Sequence, residues 1–306
     1  MMDPTNQTKL FGLNNYFNEL KYLFDNNKLP NKILLTGQKG SGKFTLSLHL
    51  INYVLSKNED YSYNDQDFVI NENNRSFKLV KNNTSPNFYL ISLKKEKKNI
   101  DVIQIRELIS FCNKSSFNNK PRFVLIDSHE TMNLNSNNAL LKTLEEPNDN
   151  IFFIIINNSS KILQTIKSRC LNFKINLTQQ ESIEIFNKIT DKNIYDFISS
   201  DLISHYFTPG DLLNLYNFSV EKKVDLSNIT IEEFLLAIID NSYYKKDIVN
   251  INLIFAILQM YFIKNIKNLD NYSVYNKFVN SIDNIKRFNL DIESLFIQLR
   301  KQIAND

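Results

Sequence analysis

Lys32–Thr45 reads KILLTGQKGSGKFT, and the order of its residue types decides the fold. Lys32 to Thr36 is a short apolar run leading straight into glycines, as a buried parallel strand does. The apolar spacing through Leu46, Leu50 and Val54 then predicts a helix. A strand, a G-x-x-x-x-G-K loop and a helix in that order form a phosphate cradle. Glycines let the backbone curl its N–H groups inward, Lys43 adds a point charge for β- and γ-phosphates, and the helix N-terminus adds its dipole. Gly37, Gly40, Ser41, Gly42, Lys43, Phe44 and Thr45 are therefore the candidate phosphate-binding residues. With 5 glycines in the whole chain, each marks a place where the backbone needs freedom. One position departs from the pattern. The residue after the lysine should offer a hydroxyl to Mg²⁺, and Phe44 has no oxygen. Thr45 points about 100° away around the helix. The cradle suits ATP or ADP with an incomplete metal site, and a loop that has lost its nucleotide is the alternative left open.

Outward from the loop, Phe88–Ser92, Arg122–Ile126, Ile151–Ile156 and Leu171–Ile175 are further short apolar runs. Helical patterns lie between them, one through Ile103, Ile105, Leu108 and Ile109, another through Leu140, Leu141 and Leu144 that Pro147 stops. Strands alternating with helices predict an α/β layer with a parallel sheet over residues 1–176. The polar, weakly patterned stretch from Ser56 to Asn87 reads as an insertion. After Asn176 the pattern is all-α. Thr178 and Glu181 form a capping box, and short helices run to a break at Pro209-Gly210. Two apolar stripes, Ile254, Ile257, Leu258, Tyr261, Phe262 and Ile292, Leu295, Phe296, Leu299, Ile303, predict a helical bundle core.

Composition excludes several classes. At 42% hydrophobic and 23% charged the chain is ordinary for a globular protein, and a net charge of +3 does not by itself argue for nucleic acid. Cys112 and Cys170 stand far apart, so neither a disulfide framework nor a zinc site is expected, and a reducing cytoplasm is. MMDPTNQTKLF lacks a basic-then-apolar leader pattern, and the longest apolar stretch, Ile251 to Ile263, is too short to span a bilayer.

A second chemical element is Phe123-Val-Leu-Ile-Asp127-Ser-His-Glu130. An apolar strand ending in an acid places Asp127 to hold Mg²⁺ through water. A hydrolase of this kind follows it with a glutamate base, and here Ser128 stands instead, with Glu130 two residues on. His129 reads as a helix-start histidine, and His49 and His205 as structural residues.

Together these segments resemble the bacterial DNA polymerase III clamp-loader family, AAA+ proteins that include the gamma/tau and delta-prime subunits. The likeness runs through Leu29-Pro-Asn-Lys-Ile-Leu-Leu-Thr-Gly37 and Ile100-Asp-Val-Ile-Gln-Ile-Arg-Glu-Leu108. It continues in Asn138-Ala-Leu-Leu-Lys-Thr-Leu-Glu-Glu-Pro147 and Thr165-Ile-Lys-Ser-Arg-Cys170, and more weakly in Thr208-Pro-Gly-Asp211. The resemblance implies an AAA+ core at 1–176, a helical lid at 177–218 and a C-terminal helical collar at 219–306. It implies that Arg169 is a finger reaching a nucleotide bound by the next subunit, and that Asn157 is the polar sensor at a strand end. Its partners would be clamp-loader delta and gamma/tau subunits, with the sliding clamp and primer–template DNA met through the complex, at the nucleoid replisome, and no membrane. Phe44, Ser128 and Asp211 stand where the family's motors carry a metal hydroxyl, a base and a cation. The segment Ser56–Asn87 lacks the cysteines of the zinc module that such proteins often carry. That pattern resembles delta-prime more than gamma/tau, with little or no hydrolysis of its own. A gamma/tau-like motor using Thr45 and Glu130 is the first alternative, and an unrelated P-loop phosphotransferase or AAA+ chaperone the second. The Lys94–Lys98 run (KKEKK) suits DNA or a solvated loop face equally well.

Overall fold

A computed structural model of the chain describes residues 4–94, 97–114, 118–145, 150–159, 162–245, 251–265, 269–288 and 292–303. Pro147 and Lys95 lie outside these residues. The chain divides into two compact units, residues 2–181 and 182–306.

The first unit is built on five parallel strands: β1 (Lys32–Thr36), β2 (Phe88–Ile91), β3 (Arg122–Ile126), β4 (Ile151–Asn157) and β5 (Leu171–Lys174). Their order across the sheet is β2-β3-β4-β1-β5. The near-continuous apolar runs of β1, β3 and β4 follow from burial on both faces. The first six helices are α1 (Asn14–Asp25), α2 (Lys43–Ser56), α3 (Arg75–Lys81), α4 (Val102–Asn113), α5 (Leu134–Glu145) and α6 (Gln164–Lys167). One core gathers Leu34, Val124, Ile155, Ile105, Leu108, Leu140, Leu144 and Ile166. Each such fully buried side chain contributes roughly 1.5–3 kcal/mol. Ile103 is the exception in the predicted α4 stripe. It sits in the first turn, 58% exposed.

The register decides where the chemistry falls. Thr36 lies beside Asn157 and Ile126 beside Ile155, so the ends of β1, β3 and β4 share the C-terminal edge. Leu171, the first residue of β5, lies beside Ile33 near the start of β1. The segment entering β5 is therefore at the opposite, N-terminal edge.

The polar insertion is tied down by side chains instead of cysteines. Asn74 caps α3 through the Phe77 N–H (2.7 Å), donates to Tyr61 O (2.7 Å) and accepts from Asn52 (3.2 Å). Glu59 accepts from Ser76 (2.6 Å) and Lys120 (2.9 Å). His49 is buried, with Nδ1 2.9 Å from the Tyr63 hydroxyl and Nε2 3.2 Å from Gln7 O. Burial holds its pKa down at about 4.

The second unit is helical. α7 (Gln179–Thr190) crosses the division and opens on the predicted box, with Glu181 N–H donating to Thr178 Oγ1 (3.2 Å) and Thr178 N–H to the Glu181 carboxylate (2.7 Å). Then come α8 (Pro209–Lys222), α9 (Ile231–Asp240), α10 (Ile251–Asn265), α11 (Leu269–Phe288) and α12 (Glu293–Ile303). One apolar cluster runs from Phe186 to Ile303 and takes in both predicted stripes, Ile292 at its margin. The expected break at Pro209-Gly210 is instead the first turn of α8, because Thr208 caps it reciprocally with Asp211 and proline is favoured at the first helical position. Asp211's carboxylate is taken up in that cap, accepting from Thr208 N–H (3.2 Å) and Oγ1 (2.7 Å).

Candidate functional site

The phosphate loop leaves β1 at Gly37, whose φ is 145°. A Cβ there would stand 2.3 Å from the Ile175 carbonyl oxygen, so only glycine fits. Gly42 (φ 87°) begins α2 without a side-chain cap, and a Cβ would meet Leu13 at 2.8 Å. No acid lies in the first turn of α2. Its N–H groups and positive dipole end therefore face the loop uncompensated, which favours an anion.

Lys43 is 3% exposed, and its ammonium donates to Gly37 O (2.8 Å), Gln38 O (2.6 Å) and Ser41 Oγ (3.1 Å). Burial draws its pKa down to about 8, against the attraction of Glu130 and Asp127. Phe44 lines a pocket with Leu48 and Asn52 of α2, Phe77 and Val80 of α3, and Phe88 and Leu90 of β2. The ring serves the seam between α2 and the insertion and brings no metal ligand.

Asp127 follows β3, half-buried, and burial raises its pKa, with Glu130's charge adding to the effect. Ser128 takes a left-handed φ of 61° and donates to Asp127 Oδ1 (3.3 Å). Glu130 is strapped to the same edge. It accepts from the backbone N–H of Asn158 (3.0 Å) and from its side-chain amide (2.9 Å). Each carboxylate oxygen thus accepts one bond from Asn158, which holds the group in a fixed orientation at this edge. His129 is buried with Nε2 2.8 Å from Asn137 Oδ1, and burial lowers its pKa. Asn157, fully buried at the end of β4, donates to Ser159 O. The loop, Asp127 and Asn157 therefore share the C-terminal edge of the sheet. Asn158 was not anticipated, since its partner is 28 residues away and asparagine is abundant here.

Arg169 lies elsewhere. It follows α6 and precedes β5, at the N-terminal edge. Four strand rises separate Ile33, level with Leu171, from Gly37, which is about 13 Å. The guanidinium donates to Glu145 Oε1 (2.9 Å) and Thr165 O (2.9 Å), with a third of the side chain exposed. Cys170 is half-buried, and burial pushes its thiol up to about 11, the opposite of an activated nucleophile. Among the described residues no group of three His, Cys, Asp or Glu side chains could hold a metal ion, and no helix is long and apolar enough to cross a membrane.

Residues 12–179, more than half of the chain, match the family described as DNA polymerase III, delta subunit. DNA polymerase III subunit delta' of Pseudomonas aeruginosa is 36% identical over 98 residues, 32% of this chain and 30% of that protein. DNA polymerase III subunit gamma of Buchnera aphidicola subsp. Schizaphis graminum is 36% identical over 138 residues, 42% of this chain and 38% of that one. The matched stretches thus span well under half the length of these curated relatives. A crystal structure of a DNA polymerase III gamma subunit-related protein from Thermotoga maritima superposes with a TM-score of 0.58 at 17% identity. It covers 94% of this chain and 98% of its own, and shares the fold.

Proposed function

The chain belongs to the DNA polymerase III delta-subunit family of bacterial clamp-loader proteins, and from that premise we propose that it is a delta-prime-like subunit, a partner more than a motor. It would join clamp-loader delta and gamma/tau subunits in the cytoplasm and help load the sliding clamp onto primed DNA. Residues 177–218 would serve as its lid and 219–306 as its collar. Arg169 would act on a nucleotide held by the neighbouring subunit.

One observation carries this reading: Arg169 and the phosphate loop stand at opposite edges of one parallel sheet. A guanidinium at the N-terminal edge has no route to its own loop, so any phosphate it meets belongs to another molecule. The group suits that task because it stays charged and spreads its donors over phosphate oxygens. At the C-terminal edge the glycines, Lys43 and the α2 N-terminus fit a nucleotide's phosphates. Hydrolysis there is disfavoured, since Phe44 offers no oxygen, Ser128 is no base and Glu130's carboxylate is held by Asn158. The nucleotide would act as a structural ligand.

The test is Arg169→Ala in the reconstituted complex. Assembly should persist while ATP turnover falls, by on the order of 10³ at the one site that the arginine faces. Unchanged turnover would sink the proposal. The gamma/tau-like motor is the competing reading, and hydrolysis by the isolated chain, abolished by Lys43→Ala, would promote it.

A further inference from the structure

The N-terminal edge carries a chain of contacts that the function above does not use. Lys32, the first residue of β1, donates from Nζ to the Leu144 carbonyl (2.8 Å). Leu144 itself is fully buried, so the last turn of α5 is fixed to the sheet both by backbone and by side chain. The next residue, Glu145, projects a half-exposed carboxylate that accepts from Arg169 Nη2 (2.9 Å). Arg169 Nη1 donates back to Thr165 O of α6 (2.9 Å), and α6 is anchored by fully buried Ile166 in the same core as Leu144. The guanidinium is thus gripped at both terminal nitrogens, from two elements that cannot drift independently.

We propose that Glu145 is the positioning residue for Arg169. Resting on the function proposed above, this reading has the carboxylate pre-orient the guanidinium for the terminal phosphate of a nucleoside triphosphate held by a neighbouring chain. A guanidinium has five N–H donors, and the two bonds take one from each terminal nitrogen, leaving donors for an incoming anion. The pair does not work as a lock. An exposed ion pair shifts an equilibrium by no more than about fivefold, and a phosphate with more charge and three oxygens outcompetes it. Its effect is to narrow the rotamers of a long side chain before the partner arrives, so that less freedom is lost on contact.

The experiment uses the full chain and the reconstituted complex. Glu145→Ala should lower ATP turnover about two- to fivefold, with assembly and the KM for ATP unchanged. Glu145→Gln keeps the acceptor oxygen and should recover most of it. In an Arg169→Ala background Glu145→Ala should add nothing, because it acts only through the arginine. In the free chain, NMR order of the Arg169 Nε–H should fall in Glu145→Ala and hold in Glu145→Gln. A rise in turnover, an equal fall without the arginine, or unchanged order in Glu145→Ala overturns the proposal. If Arg169→Ala itself leaves turnover intact, the function proposed above fails with it. If Arg169→Ala is damaging and Glu145→Ala silent, this inference alone fails.

Discussion

The two edges of the first unit's sheet hold their charged and polar residues differently. At the C-terminal edge they are bonded to the loop and strand ends around them, Glu130 from an exposed position. Lys43 is 3% exposed and bonded to its own loop, Glu130 is held by Asn158, and Asn157 is fully buried. At the N-terminal edge Arg169 keeps a third of its side chain in solvent and leans on Glu145. An edge whose groups satisfy one another can hold a ligand but has few left to do chemistry. An edge that presents an oriented cation is equipped for someone else's ligand. The difference separates binding from catalysis within one chain, and each prediction tests that separation.

The largest effect sets Arg169→Ala against Lys43→Ala in one reconstituted complex. The arginine variant should lose on the order of 10³ at the site it faces, while the lysine variant leaves complex turnover near wild type. The reverse ranking would move the catalytic role back to the loop. Next comes Gly37→Ala. Its φ lies where side chains are strained, and the new Cβ would press on Ile175 O at 2.3 Å. A loss of about 3 kcal/mol in denaturant unfolding is expected, together with loss of nucleotide binding. Arg169 belongs to the other edge, so its alanine variant should unfold like wild type.

Mild acid should loosen the α2 side of the unit. His49 has its folded pKa depressed to about 4 by burial, so the folded state keeps the imidazole neutral while the unfolded chain takes a proton near the ordinary 6.5. Stability is therefore intact above pH 6.5 and falls as pH drops toward 4. From pH 7 to pH 5 the loss is about 2 kcal/mol, and His129, lowered in the same direction, adds to it. Denaturant midpoints across that range check the slope, which His49→Gln should largely flatten.

Much of this was legible in the sequence where the signal is local. Strand–glycine–helix order at Lys32–Thr45 placed the loop, and apolar runs ending in Asp127 and Asn157 placed their shared edge. Periodicity found both stripes of the second unit. Two local signals were misread. Thr208-Pro-Gly-Asp211 is a capping box with proline at its first helical position, yet the Pro-Gly pair suggested a break. Ile103 has the spacing of a core residue but falls in the exposed first turn of α4. What the sequence hid is long-range pairing. Glu145 and Arg169 are 24 residues apart, and Glu130 and Asn158 are 28. Arg169 lies at the N-terminal edge because it precedes a parallel strand, which the alternating pattern implied, but that β5 lies beside β1, out of sequence order, is specified by no pattern of residue types.

The smallest effect cuts deepest into the comparison. Phe44→Ser restores an oxygen at the position after Lys43, where a metal hydroxyl is wanted. The half-buried ring gives up its contacts in the pocket with Leu48, Phe77, Phe88 and Leu90, which lowers stability. Mg²⁺ should then tighten nucleotide binding where it has little influence on the wild-type chain, as titrations with and without the ion will measure. Hydrolysis should still be missing. Ser128 has no basic group to polarise water, and Glu130 remains bonded through both oxygens to Asn158. If turnover appears in Phe44→Ser, the C-terminal edge is a motor short of a single hydroxyl, and the contrast between the two edges is one of degree. If binding tightens and turnover does not follow, the loss of hydrolysis is distributed over several residues.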